Sequence, residues 1–199
     1  MTATLNPYGF KPCGSLQGGT PVMFLTSVKG AISAAYSSNI FEFQPVLWNN
    51  GVLNPCTTAA AIIGVFSGVQ YNPTSGNAPV WNNWWTASTP FTAGSLYADL
   101  TQDINVLYRV QADGAVNSTA IGDQADVSNF TDGSTATGRS ACTLSSTLKG
   151  SGVQGMFRII GLWPSPDNAW SDDDATAGAY PELIVQIARF QYAYPQTAI

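Results

Sequence analysis

The sequence predicts an all-β protein: a β-sandwich or barrel-like domain with a few short helices, preceded by an extended N-terminal arm. Three observations lead there. Apolar residues recur with period two in the longest runs, so that Leu183, Val185 and Ile187 fall on one side of ELIVQI while Ile184 and Gln186 fall on the other. Val106, Tyr108 and Val110 alternate with Leu107, Arg109 and Gln111 in the same way. Turn dipeptides that accept positive φ, Asn50-Gly51, Asp113-Gly114 and Asp132-Gly133, stand between the runs.

The elements follow in order. Residues 1–20 mix three prolines, four glycines and two aromatics across their length and the residue after it, a composition no helix can use. They also lack the basic leader and apolar run of a signal peptide, so an extended, mature arm is expected. Residues 21–199 are expected to form a single β-rich domain. Its strand runs are PVMFL (21–25), NIFEFQPVLW (39–48), AAIIGVFSGVQY (60–71), INVLYRVQ (104–111), GMFRIIGLW (155–163) and ELIVQIARFQYAY (182–194). SVKGAISAAYS (27–37) is the best helical candidate, weakened by its glycine, and a second short helix is expected near residues 135–148.

Composition narrows the function. Charged residues make up 10% of the chain, against roughly 25% in typical domains. With a surface rich in amides, hydroxyls and aromatics, this suggests extensive coverage by partners. Net charge is −5, and the seven basic residues are scattered along the sequence, so nucleic acid is not an expected partner. No run approaches the ~20 apolar residues of a membrane-spanning helix. The three cysteines, Cys13, Cys56 and Cys142, are odd in number and widely spaced, which points to free thiols.

Catalytic chemistry is poorly provided for. Histidine is absent, which removes the usual general base and the common triads. Asp99 and Asp103 could serve as paired carboxylates, but solvated turn residues are the simpler reading. Asp172-Asp173-Asp174 is the only acidic run; it lacks the alternating spacing of a calcium loop and reads as a solvated loop rather than a calcium site. No metal, cofactor or catalytic residue is expected.

The remaining feature is WNNWWTASTPF (81–91), echoed by WNNG (48–51). Trp81, Trp84 and Trp85 can serve as core, as protein-interface anchors, or as sugar-stacking rings with amides beside them. Trp84 and Trp85 cannot both face inward on a regular strand, so at least one needs a second partner.

LNPYGFKP (5–12) resembles the NPYGFRP opening of many tailed-phage structural proteins. The likeness continues in order through IIGVFSGVQY (62–71), APVWNNWW (78–85), VQADGAV (110–116), STAIGDQADV (118–127), GSTATGRS (133–140), FRIIGLWPSPDNAW (157–170) and ELIVQIARFQY (182–192). It fails between Asn39 and Pro55. The set resembles the head decoration, or capsid cement, proteins of tailed bacteriophages. That resemblance implies a non-enzymatic virion protein, assembled in the host cytoplasm and bound to the outside of the capsid. It implies a homotrimer that bridges major capsid protein subunits, with neither nucleic acid nor membrane as partner. Residues 1–20 would be the capsid-binding arm, with Asn6, Pro7, Tyr8, Phe10 and Pro12 in contact with the shell, and the domain would fold without residues 1–12. A carbohydrate-binding β module, such as a head fibre or host-attachment protein, is the alternative, with Trp81, Trp84 and Trp85 as contact candidates.

Overall fold

A computed structural model describes residues 4–18, 25–33, 36–57, 59–76 and 78–193. Among them twelve strands form two sheets, and every strand pairing is antiparallel. In chain order they are β1 (Lys11–Ser15), β2 (Leu25–Lys29), β3 (Pro45–Asn49), β4 (Val52–Pro55), β5 (Gly64–Tyr71), β6 (Val80–Asn82), β7 (Tyr97–Thr101), β8 (Val106–Gln111), β9 (Gln124–Ser128), β10 (Thr143–Leu148), β11 (Phe157–Leu162) and β12 (Glu182–Ile187).

The first sheet has the order β1-β8-β12-β11-β9-β10 and the second β2-β7-β5-β3-β4, with β6 added beside β5. β10 curls back toward the end of β8, where Ala112 bridges Leu144, but a single bridge is not a ladder. Both sheets stay open, so the architecture is a sandwich and the barrel alternative falls away.

Period-two patterning dictates the core. Leu183, Val185 and Ile187 of β12, with Val106, Tyr108 and Val110 of β8, are all buried. They meet Phe157 and Ile159 of β11, and Ile62 and Val65 from the second sheet's side, in one apolar cluster. A second cluster joins Phe66 and Val69 of β5 and Ala98 and Leu100 of β7 to Ile40, Leu53, Trp85 and Leu96. Phe190 packs against both.

Asn50-Gly51 behaves as its chemistry requires. Both residues have positive φ, 50° and 78°, and they close the β3–β4 hairpin. The expected helices do not form. Ser27–Lys29 belongs to β2, which pairs along its whole length with β7, and Gly30 at φ 68° turns the chain away. Residues 143–148 are β10, held to β9. Cross-strand pairing overrode a marginal helix propensity in both places. The helical content among the described residues is two 3₁₀ turns, Ser118–Ala120 and Ala177–Ala179. The expected run at 21–25 lies outside the described residues except for Leu25.

Candidate functional site

The opening motif is built into the sandwich. Lys11–Ser15 is the edge strand beside β8, with a bulge between Pro12 and Gly14. Upstream, Asn6 donates its backbone N–H to Gln111 Oε1 at 2.8 Å, and Gln111 Nε2 donates to the Thr4 carbonyl at 3.0 Å. Phe10 is 0% exposed and stacks on Phe157 with ring centroids 4.3 Å apart. Its side chain therefore faces this chain's own core, which corrects its expected place as an anchor for another protein. Gly9, at φ +78°, explains why glycine precedes it: a Cβ there would lie 2.6 Å from the Phe43 carbonyl oxygen. Pro12 is held opposite Tyr108 in the β1–β8 register.

Tyr8 is pinned from two directions. Its hydroxyl donates to Glu182 Oε1 at 3.0 Å, and its ring lies 5.4 Å from the Arg109 guanidinium. Trp163 holds the same guanidinium at 4.7 Å, and Arg109 is ion-paired with Glu182. Asn168 braces the group, accepting from Glu182 N at 2.9 Å and donating to the Trp163 and Glu182 carbonyls. Burial, reinforced by the Glu182 charge, pushes the Tyr8 hydroxyl well above its ordinary range, so it stays a neutral donor.

Beside this staple lies a cleft of about 630 Å³. Asn6, Pro7 and Tyr8 line it together with Ser134, Thr137 and Arg139 of the 133–141 segment, and with Lys11 and Arg109. Three of the chain's seven cations thus converge although they are far apart in sequence, which corrects the expectation that the basic residues scatter. Arg139 Nε sits 3.7 Å from Glu42, whose carboxylate also accepts from Asn83 Nδ2 at 3.1 Å. Lys11 has no ion-pair partner among the described residues. The cleft's hydroxyls have no histidine to activate them. With Lys11, Arg109 and Arg139 in its lining, the cleft is suited to holding an acidic group.

The three tryptophans separate. Trp85 is 0% exposed and packs edge-on against Tyr71 and Phe91. Trp84 is half-buried and stacks on Phe41 at 5.7 Å, which supplies the second partner its neighbour's burial demands. Trp81 alone of the three is exposed, at 58%. Trp85 is thus corrected from a contact candidate to a core residue, whereas Trp84 keeps one side exposed.

Most of the acidic residues singled out in the sequence are engaged locally. Asp99 accepts from Ser27 and from Trp81 Nε1, whereas Asp103 accepts from Asn105. Asp172 takes the Ser118 hydroxyl at 2.6 Å and the Ser118 N–H at 2.8 Å, bonds that hold its carboxyl below the usual range. Asp174 caps the Thr176 and Ala177 amides. Among the described residues no cluster of three or more ligating side chains could hold a metal ion. All three cysteines are free, and burial pushes the Cys56 and Cys142 thiols up to about 12.

The fold and these surfaces define a two-sheet antiparallel β-sandwich with an integrated N-terminal edge strand. Comparison with known proteins adds no relative: no family model, curated protein or solved structure matches the chain. Among the described residues, no helix is long and apolar enough to cross a membrane.

Proposed function

We propose that this chain is a non-enzymatic virion protein that decorates the outside of a phage head. As a homotrimer it would bridge major capsid protein subunits and stabilise the shell. One observation carries the reading: LNPYGFKP and GSTATGRS, two motifs of the decoration-protein resemblance, come from distant parts of the chain and line one cleft together. A two-sheet sandwich with many of its carboxylates engaged in local bonds suits a load-bearing role. The attachment point in this reading is the cleft rather than a free arm. An acidic segment of the major capsid protein docks against Lys11 and the outward part of Arg139. Each contact is weak because it is solvent-exposed; three copies around a symmetric site supply the avidity.

The test is co-sedimentation of the purified chain with capsid shells that lack it, alongside native mass by light scattering. Saturable binding at a fixed ratio is expected, with a mass of about 63 kDa, three times the 21.0 kDa chain. The Lys11→Glu, Arg139→Glu double variant should bind at least tenfold more weakly. Failure to sediment with shells at any concentration would reject the reading.

A further inference from the structure

One face of the second sheet is covered at one end and bare at the other. Along β7, Ala98 and Leu100 enter the second apolar cluster, so Tyr97, Asp99 and Thr101 point the opposite way. Thr101 is paired with Val65, which lies in the cluster shared with the first sheet, and both are buried. Toward Tyr97 that same face opens to solvent. Strand register there aligns Trp81 of β6, Gln70 of β5, Tyr97 of β7 and Lys29 of β2 in one row. Directly opposed residues of antiparallel strands share a face. Trp81 and Tyr97 are two strands apart, so their backbones stand about 10 Å from each other.

The row is exposed yet held in place. Gly68 leaves room for the Trp81 indole to fold over β5; a Cβ there would lie 2.9 Å from the ring. The indole N–H donates to Asp99 Oδ2 at 3.4 Å, and Asp99 is held in turn by the Ser27 hydroxyl. Tyr97 is 38% exposed, with the Lys29 ammonium 5.9 Å from its ring centroid. Beside the Tyr97 ring is a hollow of about 470 Å³, lined by Ser27, Gln70, Asn72, Ser95 and Tyr97 among others and by no charged side chain; Gln70, on its wall, is the strand neighbour of Trp81. Neither the Gln70 nor the Asn72 side-chain amide has a hydrogen-bond partner among the described residues.

We propose that this face binds a neutral oligosaccharide. Exposed rings favour a ligand with an apolar face, and the unpartnered amides favour one with hydroxyls at its edge. No charged side chain lines the hollow itself, which favours a neutral ligand; Lys29 stands at its edge beside the Tyr97 ring, and the charged contrast below tests whether it draws an anionic one instead. A pyranose has both features: its C–H face covers Trp81 or Tyr97 while its hydroxyls bond Gln70 and Asn72. This site lies apart from the cationic cleft and does not depend on attachment to a shell.

The experiment is titration of the full chain with cellohexaose, maltohexaose, chitohexaose and mannohexaose, followed by tryptophan fluorescence and calorimetry, with dextran sulfate as the charged contrast. At least one neutral oligomer should bind saturably and shift the emission. Trp81→Ala and Tyr97→Ala should each weaken binding at least tenfold. Gln70→Ala, which removes no internal bond, should weaken it severalfold with the near-ultraviolet circular dichroism intact. Shell co-sedimentation should be unaffected by Trp81→Ala. No binding by any neutral oligomer, or affinities unchanged in all three variants, overturns the proposal. So does loss of native mass or of shell binding in Trp81→Ala, which would assign the face to protein contact.

Discussion

Replacing Phe10 with alanine separates an integrated strand from a detachable arm. Phe10 is fully buried, stacks on Phe157 at 4.3 Å and 17°, and belongs to the same cluster as Tyr108 and Val185. Truncating a buried phenylalanine removes its transfer free energy and leaves a cavity, together about 3–5 kcal/mol. Against a total stability of about 5–15 kcal/mol, that is a large fraction. For a chain of this size it lowers the melting midpoint by about 6–20 °C. Phe10→Leu keeps most of the apolar volume and loses the ring stack, so it should cost only about 1–1.5 kcal/mol. Urea unfolding followed by tryptophan fluorescence measures both, and the midpoint should move while the slope stays constant. If Phe10 were a docking anchor on a free arm, its removal would change stability by no more than about 0.5 kcal/mol. A midpoint unchanged within that limit would refute the reasoning. By the same logic, deleting residues 1–12 should destabilise the domain at least as much as Phe10→Ala, contrary to the dispensable arm that the sequence suggested.

Three further outcomes follow from the geometry. Gly9→Ala forces a left-handed residue and drives a methyl into the Phe43 carbonyl, so it should cost about 2 kcal/mol or more in the same urea assay; a neutral effect would mean that the 4–10 segment is not seated as described. With Cys56 and Cys142 pushed up to about 12 and Cys13 to about 11, all by burial first, the native protein should react very slowly with a thiol reagent near pH ~8. The denatured chain should titrate three thiols at once; fast reaction of any thiol in the native state contradicts the packing. Burial opposes ionisation of Asp113, but hydrogen bonds from Ser128 and Ser146 win and hold its carboxyl below the usual range. A depressed native pKa means that the unfolded chain takes up the proton first as pH falls, so this stabilisation is present above pH ~3.9 and is lost below it. Wild type should therefore be more stable than Asp113→Asn near neutrality, and the gap should narrow in acid; a gap that stays constant from neutral to acid pH would show that the carboxylate is not stabilised this way.

Residue order alone was enough to identify the class of fold and several of its parts. Period two in β8 and β12 and the positive-φ chemistry of Asn50-Gly51 are local properties, set by side-chain alternation and by which residues tolerate a left-handed backbone, and they survived folding intact. The strands near residues 27 and 145 were not legible, because their polar runs become strands only through partners in β7 and β9. Tertiary structure also decided where each candidate site residue sits. Whether Phe10 faces a partner or Phe157, which tryptophan remains exposed, and whether Lys11, Arg109 and Arg139 meet all depend on contacts between distant segments. Tyr97 and Gln70 carried no signal in the sequence, since a single tyrosine and a single glutamine gain meaning only when sheet register sets them beside Trp81. Alternation and turn chemistry act over a few residues and can be read directly. Convergence acts across the sandwich, where the twist and pairing of the sheets, not spacing along the chain, determine the neighbours.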